Sequence, residues 1–186
     1  MLRHDGISRY TVGLATALAR RHPIELLVSD RRQLADLPDV PWHLAGAPTG
    51  PGEPFLARTV NRIGPDVVFS PMQTMGSWGR RYRLVLTVHD LIYYRHRTPP
   101  RDLPWPVRVL WRLYHLAWWP QRLLLDRADA VVTVSHTTAA LLAGRRLTRR
   151  PVAVVPNAVD GGPGGAPVPS ADRRPDLVYT VSYTHL

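Results

Sequence analysis

The 186-residue chain contains no cysteine and no lysine. Without cysteine, disulfides and thiolate metal sites are excluded. That fits a reducing compartment and leads us to expect a cytoplasmic protein, at most peripheral at the inner face of a membrane. Long uncharged apolar runs are also missing. The most apolar stretch, residues 107–125, carries Arg108, Arg112, His115 and Arg122, whereas a bilayer span needs roughly 20 mostly apolar residues. The start, Met1-Leu-Arg-His-Asp-Gly6, lacks the apolar segment of a signal peptide. No cluster of His, Asp and Glu has metal-ligand spacing, so no bound metal is expected; no other cofactor is expected either. Helix-turn-helix, RNP-like and zinc patterns are absent too, which argues against nucleic acid as a partner.

What is present is arginine. All 24 basic residues are Arg, and the formal charge is +10. Most of these residues read as a solvated basic surface. A minority are expected to meet an anionic partner, either the phosphates of a nucleotide-linked substrate or an anionic membrane surface.

An apolar share of 45% suits a globular core. Residues 7–19 read as a helix, with Ile7, Tyr10, Leu14 and Leu18 at helical spacing and Pro23 ending it. Short apolar runs at 24–28, 66–69, 84–88, 130–134 and 152–155 read as buried strands. A run at 40–44 reads as an edge strand because of Pro41. Helices are expected at 55–63, stopped by Gly64-Pro65, and at 137–143, closed by Gly144. Another begins near Pro104 and Pro106, with Val107, Leu110, Trp111, Tyr114 and Trp118 on one face. Loops are expected at 47–54 and 71–79. Strands alternating with helices imply right-handed crossovers and a mostly parallel sheet covered on both faces. The fold class is therefore α/β, a Rossmann-like parallel sheet flanked by helices.

Four motifs occur in order: Gly6-Ile-Ser-Arg-Tyr10, Thr87-Val-His-Asp-Leu91, Asp129-Ala-Val-Val-Thr-Val-Ser135 and Val155-Pro-Asn157 with Val159-Asp160. Together they resemble the amino-terminal domain of a family-four glycosyltransferase with the GT-B fold, in which two Rossmann-like domains face each other across a cleft. The resemblance covers about residues 5–160. It implies an acceptor-side domain at 1–160, with 161–180 a linker and the start of the nucleotide-sugar-binding domain. The family's first strand and the bulk of its second domain are expected to fall outside this sequence. The ending 181–186 resembles a translated linker and is expected to lie outside the fold. Ala158 stands where the family usually has Gly.

The implied activity is transfer of a sugar from a nucleotide-diphosphate sugar to a glycan or lipid-linked acceptor, with retention and without a bound metal. Such a reaction builds negative charge on a leaving phosphate while the sugar becomes cation-like. The protein must neutralise the first and orient the second. His89 and Asp90 follow a strand's carboxyl end, where open α/β sheets bind ligands, and are the catalytic candidates. In the family, the residue matching His89 contacts the donor sugar. Against this, the ring of His89 could merely bond backbone, and Asp90 could cap the next turn. Gly6, Arg9 and Ser135 are the substrate-binding candidates. Gly6 opens a helix whose amino terminus favours anions; it could equally be a helix-start glycine, Arg9 a solvated side chain, and Ser135 an N-cap.

Two other readings compete. One is a non-catalytic basic α/β module that docks on anionic lipid or nucleic acid. The other concerns residues 95–122, where Arg interleaves with Trp105, Trp111, Trp118 and Trp119. These could form a membrane-interface helix, or the aromatic residues could pack on the sheet while Arg faces water.

Overall fold

The structure, a computed structural model, describes residues 6–46, 52, 55–99 and 103–158. The expected loop at 47–54 (save Gly52), the pair Val159-Asp160, the linker and the ending at 181–186 lie outside those residues. The strands are β1 Leu26–Val28, β2 Trp42–Leu44, β3 Val67–Ser70, β4 Arg83–Val88, β5 Ala130–Thr133 and β6 Val152–Val154. Each pairing among them is parallel.

The described strands form two parallel sheets. β1 pairs with β2, and β3-β4-β5-β6 run in chain order as a second sheet. Paired strands must lie about 4.8 Å apart, and no described strand bridges β1 and β3. Leu27 and Val67 accordingly stay exposed. Pro41 does not enter β2. It precedes the strand, and its carbonyl accepts the Leu26 N–H at 2.9 Å.

The helices are α1 Gly6–Ala19, α2 Leu56–Ile63, α3 Ile92–Arg95, α4 Trp105–Tyr114, α5 Trp119–Asp126 and α6 His136–Gly144. Gly64 ends α2 in the left-handed region, φ 77°, a conformation that costs glycine little. The single helix expected near 107–118 is two. Pro120 sits in the first turn of α5; its ring and missing N–H would break a continuous helix. The expected apolar face divides as well. Trp111, Tyr114 and Trp118 turn inward, while Val107 and Leu110 are exposed. Gly144 does not close α6. The left-handed residue is Arg146, φ 50°, because the turn returns Leu147 to the core, where it is fully buried and its N–H reaches the Leu142 carbonyl.

β4 is the centre of the core. Leu84, Leu86 and Val88 alternate along it and are buried with Leu125, Val131 and Leu142. Full burial of each such side chain stabilises by about 1.5–3 kcal/mol. Tyr94 stacks on Trp118 with ring centroids 3.9 Å apart, and His115 is buried against Tyr93, Tyr94, Trp111 and Tyr114. Burial pushes the His115 pKa below its ordinary value.

The amino end of β4 is tied to β5 by Asp129. Its Oδ2 accepts the Leu84 N–H at 2.7 Å and meets Arg80 at 2.8 Å. The Asp129 side chain is 42% exposed, so the ion pair itself contributes little. Leu84 is fully buried, so an unanswered N–H there would cost more. That N–H, with Arg80 adding, holds the carboxyl below its ordinary pKa. A depressed folded-state pKa contributes stability above the unfolded value, near 4, that is lost as pH falls through the folded one. Asp129→Ala is expected to lower unfolding free energy by about 1–3 kcal/mol in urea titrations at neutral pH. Asp129→Asn should lie closer to wild type, and its difference from wild type should shrink as pH drops from neutral toward 3 or so.

Candidate active site

Parallel register lines up the carboxyl ends of three adjacent strands. Ser70 of β3 pairs with Leu86 of β4, and Val88 of β4 pairs with Thr133 of β5. The segments that leave these strands therefore emerge side by side. They begin with Pro71, His89 and Val134.

His89 is half-buried, and its Nε2 lies 2.8 Å from the Pro71 carbonyl. A carbonyl only accepts, so Nε2 carries the proton and donates. In the neutral ring, Nδ1 is then an acceptor. The Tyr10 ring of α1 meets the imidazole edge to face, centroids 5.1 Å apart. Below them Thr87 is fully buried, its Oγ1 donating to the Ser70 carbonyl at 2.8 Å. Burial raises the Tyr10 pKa, with the Thr87 hydroxyl pulling the other way. The imidazole is thus held by a carbonyl on one side and an aromatic ring on another, which fixes its tautomer and its plane.

α6 reaches the same place. Ser135 caps it: its Oγ accepts the Thr138 N–H at 3.1 Å and donates to Thr138 Oγ1 at 2.9 Å. Thr138 Oγ1 in turn lies 3.4 Å from the His89 carbonyl. α1, the end of β4 and the start of α6 therefore converge on His89.

The other candidates fall out differently. Asp90 is exposed, and its Oδ1 accepts the Ile92 N–H at 3.0 Å, which makes it the cap of the turn into α3. Ser135 sits at the converging strand ends, but its hydroxyl is engaged as a helix cap. Arg9 is exposed and lines a shallow depression of about 380 Å³ along α1 with Ser8, Val12, Thr16, Arg20 and Asp36. It is not among the groups that hold His89. Gly6 is the first residue of α1, one turn before Tyr10. A Cβ there would meet nothing within 4 Å, so packing does not require glycine at this position.

Tyr10, Thr87, Pro71 and Thr138 are the neighbours that the motif reading missed as site groups. The helical spacing of Tyr10 with Ile7, Leu14 and Leu18 marks a helix face, not a site group. Pro71 carried a signal in its place just past β3, because strand ends in parallel register share one rim. Among the described residues, no three His, Asp or Glu side chains lie together so as to hold a metal ion.

Residues 4–161 match the family model of Glycosyltransferase Family 4. The chain belongs to this family. The parallel α/β architecture agrees with a Rossmann-like amino-terminal domain of the GT-B type. Membership gives the domain a glycosyltransferase-type function, with a sugar donor and an acceptor as substrates in general. No curated protein matches the chain.

The open space at Gly6 separates folding from ligand approach. Gly6→Ala should change the unfolding free energy by no more than a surface substitution does, about 0.5 kcal/mol. If substrate backs against this helix start, the same methyl weakens its binding severalfold, as calorimetry with nucleotide-sugar or acceptor would read.

Proposed function

We propose that this chain supplies the acceptor-side part of a transferase that moves a sugar from a nucleotide-diphosphate sugar to a glycan or lipid-linked acceptor, with retention at the anomeric carbon. The observation that carries this reading is the fixed imidazole of His89. Its Nε2–H is committed to the Pro71 carbonyl, and Tyr10 braces the ring. Nδ1 is then an acceptor of fixed direction, suited to a hydroxyl proton. A sugar is a ring of such hydroxyls, and the rim of parallel strand ends is where an α/β sheet presents groups to ligands.

In this reading His89 orients the reacting sugar by accepting from one hydroxyl. It does not take part as nucleophile. Holding the sugar in one pose removes rotational freedom that the transition state would otherwise have to lose. Gly6, at the amino end of α1, lies one turn from Tyr10, and a helix amino terminus favours an anion through its dipole. That suits the charge developing on the leaving phosphate. Asp90, tied to the Ile92 N–H, holds the turn that follows His89, and Ser135 holds the start of α6. Both act as positioning residues.

A basic binding module without catalysis remains the alternative, and transfer assays separate the two. In the protein encoded by the reading frame that carries this sequence, His89→Ala should lower kcat/KM by about a hundredfold while the protein stays folded by circular dichroism. Tyr10→Phe, which keeps the bracing ring, should stay near wild type, whereas Tyr10→Ala should follow His89→Ala. Turnover within twofold of wild type after His89→Ala would remove His89 from the reaction. Absence of any sugar transfer by the wild-type protein across nucleotide-sugar donors would favour the binding module.

A further inference from the structure

α4 and α5 carry apolar residues on the side that a core does not use. On α4 the inward side holds Trp111, Tyr114 and buried His115. The opposite side holds Trp105, Val109 and Leu113 at one-turn spacing, with Leu110 and Leu116 beside them. These are exposed, Trp105 at 76% and Leu110 at 67%. α5 likewise carries apolar residues on both sides. Inward, Leu125 and Gln121 are fully buried, the Gln121 Nε2 donating to Gln73. Its apolar Trp119 and Leu123, four residues apart, are 62% and 59% exposed. An ordinary amphipathic helix keeps its outer side polar. Contiguous exposed apolar surface of this kind marks an interaction face.

The charge around this face selects the partner. Residues 91–125 contain six Arg and a single acidic residue, Asp102. Arg95, Arg97 and Arg112 are exposed. Arg122 is anchored by the Arg145 and Arg146 carbonyls, and Arg145 lies over the Trp118 ring at 5.4 Å. Neither helix approaches the length of a bilayer span; among the described residues no helix is long and apolar enough to cross a membrane. Exposed Trp and Leu flanked by Arg, on helices too short to span, suit the headgroup layer of an anionic bilayer.

We propose that the outer face of α4 and α5 docks on an anionic lipid bilayer. Trp105, Leu110, Leu113, Trp119 and Leu123 enter the headgroup–acyl boundary, and Arg112, on the same helix as the first three, meets lipid phosphates. This goes beyond sugar transfer and does not rest on it.

The full chain is sedimented with vesicles of phosphatidylcholine alone and of phosphatidylcholine mixed with phosphatidylglycerol, at low and high salt. The expected result is roughly tenfold preference for the anionic vesicles, reduced by salt. Trp105→Ser combined with Trp119→Ser, at exposed positions, should reduce partition about tenfold with circular dichroism unchanged. Arg112→Glu should act in the same direction, and it decides the matter should the Trp variant fail to fold. Absence of binding to anionic vesicles would overturn the proposal, as would binding that neither variant alters. Loss of self-association in the Trp variant, without any vesicle binding in wild type, would instead assign the face to a second copy of the chain. No transferase assay enters these readouts, so their failure leaves the catalytic reading standing.

Discussion

The site depends on β4 being held between β3 and β5 in parallel register. Burial of Leu84, Leu86 and Val88 fixes the strand against the helices. The Asp129–Leu84 hydrogen bond ties its amino end to β5, and the Ser70–Leu86 and Thr133–Val88 pairings fix the register toward its carboxyl end. A slip of one residue would send the buried side chains to the other face and carry His89 away from the Pro71 carbonyl. Stability at one end of the strand and geometry at the other are consequences of the same register.

Much of this was legible because the strands announce themselves. Continuous Val, Ile and Leu runs bounded by polar residues placed β4 and β5 to within a residue, and Gly64-Pro65 marked the end of α2 where it occurs. What was missed is non-local or short. The turn Arg31–Ala35 has a capping box from Asp30 and Gln33, a readable pair, but five residues offer no periodicity. The division of α4 from α5 followed from Pro120, whose effect was overlooked because the aromatic spacing on either side continued. The split between the two sheets depends on lateral pairing, which residue pattern does not encode.

The site was legible in part for the same reason. A polar pair after an apolar strand pointed to His89, and the four ordered motifs pointed to the family now shown over residues 4–161. Asp90, adjacent to His89 in sequence, turns to cap the next turn instead, since a short carboxylate readily bonds backbone two residues on. The groups that fix the imidazole come from residues 10 and 71, too distant in the chain for spacing to reveal. The exposed Trp and Leu of α4 and α5 were likewise hidden. Composition showed aromatic residues among arginines, but only the fold shows which ones turn outward.

The central claim is that the His89 imidazole is fixed in place, donating from Nε2 to the Pro71 carbonyl and braced by Tyr10. Nitrogen-15 NMR of the histidines, at a pH where the ring is neutral, tests this directly. The account predicts an Nε2–H signature for His89 together with nuclear Overhauser contacts to the Tyr10 ring. An Nδ1–H ring, or one averaging between tautomers with no contact to Tyr10, would contradict it.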